Sequence, residues 1–222
     1  MKKTIIASAL IISSLGLAGC GAESNVEAPK TTTVAKTEQG AKFQEGVEYL
    51  RLEKPVAEFK GKIVEFYWYS CVHCLSVEEK VSSLNIANGR EVIIQRHSQL
   101  FDQAEEVAKF DYALRGLLPE KAQELNHEIM VLANTGKIDG IGDIYDFLAK
   151  HGLSRATVDE YLSKPEVVER MAEMKKIELS GKFRGTPSFL IDGQFVLNYD
   201  EVSNWSEAFE IMDYIAKTKM QK

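Results

Sequence analysis

Cysteine is scarce in this chain: three occur in 222 residues, at Cys20, Cys71 and Cys74. A structural zinc site wants four ligands, yet there is no second cysteine pair, and His97, His127 and His151 are scattered. Basic runs are missing too. No block of Lys or Arg interleaved with aromatics occurs, and a formal net charge of −6 repels nucleic acid rather than gathering it. The N-terminal apolar run, Ile5 to Leu17, is too short to span a bilayer comfortably. There is no internal repeat. What is present, 45% hydrophobic residues with mixed charges, describes an ordinary globular core sufficient for one substantial domain or two small ones.

Residues 1–19 read as an export signal, with Met1-Lys2-Lys3 as its positive region ahead of the apolar run. Its end, Leu17-Ala18-Gly19-Cys20, resembles the bacterial lipobox, in which the cysteine is lipidated and begins the mature chain; the other reading is a plain secreted protein with an incidental thiol at Cys20. Cleavage leaves 25 basic against 33 acidic residues. Outside the cytosol no glutathione pool keeps thiols reduced, so a close cysteine pair can persist as a disulfide. Residues 20–40, polar and without apolar periodicity, are expected to form a flexible tether.

Periodicity then changes. Tyr49-Leu50-Arg51-Leu52 is a short strand, and Ile63 to Tyr69 is a β-branched and aromatic run long enough for a central strand. From Ser70, placed as an N-cap, a helix follows, with Leu75, Val81 and Leu84 apolar and Glu78, Glu79 and Lys80 on its polar face. Glu91 to His97 is the next strand, so strand, helix, strand predicts a parallel crossover. Five helices are expected between Gln103 and Ser180, near 103–118, 120–134, 141–150, 155–162 and 165–180. Ser188 to Ile191 and Gln194 to Leu197 form a hairpin about Asp192-Gly193, and an amphipathic helix runs from Trp205 to Lys217. The fold class is α/β.

The cysteines form Cys71-Val72-His73-Cys74, a C-x-x-C pair at a helix start, one turn apart on one face. Cys71 is expected exposed and Cys74 shielded. Free N–H groups and the positive end of the helix dipole favour a thiolate on Cys71. His73 either adds a proton donor beside that sulfur or is a surface histidine. Haem attachment wants a histidine after the second cysteine, where Leu75 stands. An inert disulfide is the remaining alternative, although so small a loop constrains the unfolded chain little. Glu65 lies inside the apolar strand leading to the pair; buried, it would have a raised pKa and could exchange the Cys74 proton, whereas alternation on an edge strand would turn it to solvent. Thr186-Pro187 precedes the hairpin, and a cis bond there would present the Thr186 backbone beside Cys71.

These residues resemble the thioredoxin-fold thiol:disulfide oxidoreductases of the bacterial DsbA type. The similarity rests on 49–57, on 64–74, on the helical insertion and on 183–198. It implies a thioredoxin-like domain over 41–100 and 181–222 with a helical domain, 101–180, inserted. It places Glu65 on the family's buried acid, Cys71 as nucleophile, Cys74 as resolving cysteine and Pro187 in the cis-proline position. Three positions depart from the pattern: Val72 replaces a proline, Thr186 a valine and Gln95 a lysine. The resemblance implies a periplasmic dithiol oxidase that donates its Cys71–Cys74 disulfide to reduced exported proteins. A quinone-linked membrane partner of the DsbB type would reoxidise it. It implies no organic cofactor or metal, and contact with the membrane only through lipid on Cys20. The alternatives are a reductase or isomerase of the same fold and a lipid-anchored, chaperone-like binding module.

Overall fold

The computed structural model describes residues 41–88, 92–180 and 182–220. The expected signal segment, Cys20 and the expected tether lie outside the described residues. The strands are β1 (Tyr49–Arg51), β2 (Ile63–Tyr67), β3 (Ile93–His97), β4 (Ser188–Ile191) and β5 (Phe195–Leu197). They form one sheet in the order β1-β5-β4-β2-β3, in which β2 and β3 run parallel and every other pairing is antiparallel. Helix α1 (Val72–Asn88) makes the crossover from β2 to β3. Helices α2 (Asp102–Leu117), α3 (Ala122–Asn134), α4 (Ile141–Lys150), α5 (Arg155–Leu162) and α6 (Pro165–Glu178) separate β3 from β4, and α7 (Trp205–Thr218) ends the order. This is the α/β arrangement of a thioredoxin-like sheet with a helical insertion.

Strand alternation sorts the core. Ile63, Phe189, Ile191, Phe195 and Leu197 pack with Val81 of α1 and with Ala208, Ile211, Met212 and Ile215 of α7. Their neighbours Val64, Phe66, Leu190 and Val196 turn the other way, onto Met174 of α6 and Phe183. Period-two alternation puts Glu65 on the same face as Ile63, under α1. A third cluster joins α2, α3, α4 and α5 and includes both cysteines. Asn85 fastens α1 to β3, accepting from the Val92 and Ile93 N–H groups and donating to the Ile93 carbonyl at 3.1 Å.

The hairpin turn has positive φ at both central residues, 56° at Asp192 and 66° at Gly193. These are the signs a type I′ turn requires. Gly193 is also crowded: an added Cβ would lie 2.2 Å from the Val56 carbonyl oxygen.

Two expectations about α1 are corrected. The helix begins at Val72, and the Cys71 carbonyl accepts the first intrahelical bond, from Leu75 N–H at 3.1 Å. Cys71, not Ser70, therefore occupies the cap position, with its sulfur in the place of a capping oxygen. Glu78 is not on the polar face. It belongs to a buried stripe with Cys74, Val77, Val81 and Asn85, at helical spacing.

Candidate active site

The apolar β2 ends at Tyr67, and Trp68, Tyr69 and Ser70 carry the chain into the cap of α1. The Cys71 N–H bonds back to the Trp68 carbonyl at 3.0 Å, closing a tight turn. The Cys71 sulfur then receives the Cys74 N–H at 3.1 Å and stands 3.3 Å from the Thr186 carbonyl oxygen. Both cysteines are free thiols. Cys71 retains 8% of its surface and Cys74 none. The difference has the expected sign, but Cys71 is far more covered than a helix-start cysteine need be, because the Thr186 strand end closes over it.

The Cys71 pKa is lowered to about 6, chiefly by the hydrogen bond from the Cys74 thiol, against the cost of burial. The Thr186 side chain and the backbone N–H groups of Cys74 and His73 lower it further. The Cys74 pKa moves far upward, first because it is buried and then because it faces the Cys71 sulfur. The pair is therefore polarised into one stabilised thiolate and one thiol that keeps its proton. His73 acts on that sulfur through its backbone; its ring is exposed.

Glu65 lies in β2 between β4 and β3, so it is central and wholly buried, not solvent-facing. Burial pushes its pKa up to about 8, partly offset by a hydrogen bond from Gln95. Register explains that bond, since Gln95 is the β3 partner of Glu65. The Gln95 amide donates to Glu65 Oε2 at 2.9 Å and to Glu78 Oε2 at 2.5 Å, which ties two buried carboxyl groups together. Glu65 Oε1 has no hydrogen-bond partner. The Thr186–Pro187 bond is cis, and both residues line a depression of about 400 Å³ with His73, Arg184, Tyr199 and Trp205.

The structure thus gathers Cys71, Cys74, Glu65, His73, Thr186 and Pro187 around one helix start. Three neighbours were missed in the sequence. Glu78 stands four residues after Cys74, a spacing that could have revealed it. The buried Tyr199 hydroxyl is unpartnered and feels the charges of Glu65 and Cys74, but no local pattern marks it. His97 ends β3 opposite Tyr67, its parallel register partner. Among the described residues no group of three or more His, Cys, Asp or Glu is placed to hold a metal ion.

A dithiol at a helix start beside a cis-proline, on this sheet, defines a thioredoxin-fold redox protein. No family model matches the chain. Known proteins do. Over 166 residues it is 25% identical to the thiol:disulfide interchange protein DsbA of Yersinia pestis, covering 72% of this chain and 79% of that protein. Its fold is similar to the crystal structure of Pseudomonas aeruginosa DsbA, with a TM-score of 0.66 at 18% identity, over 80% of this chain and 94% of that one. It is also similar to Proteus mirabilis DsbA solved with a non-covalently bound peptide, with a TM-score of 0.63 at 22% identity, over 82% of this chain and all of that one. In sequence and in fold the chain is similar to thiol:disulfide oxidoreductases of the DsbA type.

Proposed function

We propose that the protein is a disulfide donor to newly exported proteins, anchored in the periplasm by lipid on Cys20. The observation that carries this direction is the polarised pair. An oxidant must leave as a stable reduced form, and a Cys71 thiolate with a pKa lowered to about 6 beside a protonated Cys74 is such a form.

A substrate thiolate attacks Cys71 Sγ, the Cys71–Cys74 bond breaks, and the electron pair goes to Cys74, which takes up a proton. A second substrate thiolate attacks the substrate sulfur of this mixed disulfide, forms the substrate disulfide and expels Cys71 as a thiolate. The substrate is oxidised by two electrons and the enzyme reduced by two. Glu65, protonated at neutral pH, is the proton source for Cys74, and its unpartnered Oε1 is free to hand that proton on. Thr186 and Pro187 offer backbone groups to an extended substrate, as the peptide-bound relative suggests. His73 tunes the thiolate through its N–H. A DsbB-type quinone-linked membrane protein restores the disulfide. Residues 41–100 and 181–222 house the chemistry, and the inserted helices, 101–180, brace it.

The test is oxidation of a reduced, unfolded test protein by the oxidised chain. The parent forms disulfides stoichiometrically, whereas Cys71→Ser and Cys74→Ser, neither of which can hold the Cys71–Cys74 disulfide, form none. Unimpaired oxidation by Cys71→Ser would instead favour a binding module whose cysteines only brace the fold.

A further inference from the structure

The backbone of Tyr69, two residues before Cys71, is held on both sides of its Cα. Its N–H donates to His97 Nε2 at 3.2 Å, and its carbonyl accepts from Asn134 Nδ2 at 2.8 Å. His97 closes β3 and Asn134 closes α3, so two elements remote in sequence grip the two peptide units that flank one residue. The Tyr69 hydroxyl is held as well, on Asn126 of α3. Asn126 in turn donates to Asp111 of α2 at 2.7 Å. Asp111 also accepts the His97 backbone N–H at 3.1 Å, the Tyr67 hydroxyl at 3.2 Å and Arg115 Nε at 2.7 Å.

The His97 ring is committed to its part. Its Nδ1 lies 2.8 Å from the Ser98 carbonyl, which can only accept, so Nδ1 carries the proton and Nε2 is the free acceptor that the Tyr69 N–H needs. The ring lies between Tyr67 and Tyr69, with centroids 5.2 and 4.4 Å away. Wholly buried His97 stays neutral, its pKa lowered to about 4 by desolvation, and so remains an acceptor across the neutral range.

We propose that His97 and Asn134 are positioning residues for the reactive thiol, fixing the turn 68–71 so that the Cys71 sulfur meets the N–H groups at the start of α1. The assignment rests on Cys71 being the reactive sulfur. Sulfur hydrogen bonds to N–H groups weaken steeply as distance and angle drift, so a loosened turn loses thiolate stabilisation although no contact to the sulfur is itself removed.

The thiolate absorbance of the reduced full-length chain at 240 nm, followed against pH, reads this directly. His97→Phe keeps a flat ring but offers no acceptor, His97→Gln restores an oxygen acceptor, and Asn134→Leu removes the other grip. The expected midpoint rises by about one pH unit in His97→Phe, a tenfold loss of thiolate at pH values below the midpoint. It rises in the same direction in Asn134→Leu and returns towards the parent in His97→Gln. A folded His97→Phe with the parent's midpoint overturns the proposal, as does a His97→Gln that shifts as far as His97→Phe. Should His97→Phe fail to fold, Asn134→Leu decides alone: a raised midpoint supports the grip and an unchanged one refutes it. A parent that titrates as an ordinary thiol would sink the oxidant reading, while the shift between parent and variants still tests the grip.

Discussion

Glu65 shows how a single residue sets the cost of this site. The native carboxyl holds its proton up to about pH 8 because it is buried, whereas in the unfolded chain it ionises near its ordinary value of 4.5. Between those values the unfolded state binds fewer protons than the native one, so this group's contribution to stability falls as pH rises through that window. Glu65→Gln has nothing to titrate. It is expected to unfold at higher urea concentration than the parent at pH 7, by on the order of 1–3 kcal/mol, with the gap closing towards pH 5. Urea unfolding of both oxidised proteins at pH 5 and pH 8 checks it, and an equal gap at both values would show that Glu65 ionises normally. The importance of Glu65 was legible because a lone acid in an apolar strand has few explanations. Tyr199 was not legible: a tyrosine after a strand is ordinary in sequence, and only folding buries its hydroxyl near Glu65 and Cys74.

Elements were legible where local chemistry marks their ends. Ser154 caps α5 by accepting from Thr157 N–H at 3.1 Å, and Pro165 opens α6. The start of α1 misled because Ser70 is the better capping residue by type, yet the chain uses the thiol one position later. That shift is functional, since a sulfur at the cap faces the N–H groups that lower its pKa. Glu78 misled for a related reason: beside Glu79 and Lys80 it reads as surface, and its burial depends on Gln95 reaching it from β3. The β4–β5 hairpin makes the sharpest prediction at this scale. Gly193→Ala must tolerate φ of 66° and a Cβ 2.2 Å from the Val56 carbonyl, where Val56 N–H also bonds the Gly193 carbonyl at 2.7 Å. It should lose about 1–3 kcal/mol, read as a lower urea midpoint with the slope unchanged. An unchanged midpoint would mean the turn relaxes freely.

For the whole molecule, strand and helix periods predicted the α/β class and the helical block between β3 and β4. They do not by themselves bring Thr186 to Cys71, 115 residues apart, or His97 and Asn134 to the backbone of Tyr69. Those meetings follow from sheet order, which places β4 and β3 on either side of β2, and from α3 packing against α1. On the proposed reading the resulting centre favours reduced over oxidised cysteines, since only the reduced form has a thiolate for the helix start to stabilise. The most direct test is the reduction potential of the Cys71–Cys74 pair, measured by equilibrating the purified chain in glutathione buffers. The account predicts a strongly oxidising couple, less negative than about −200 mV; a value near the −270 mV of thioredoxin would contradict it.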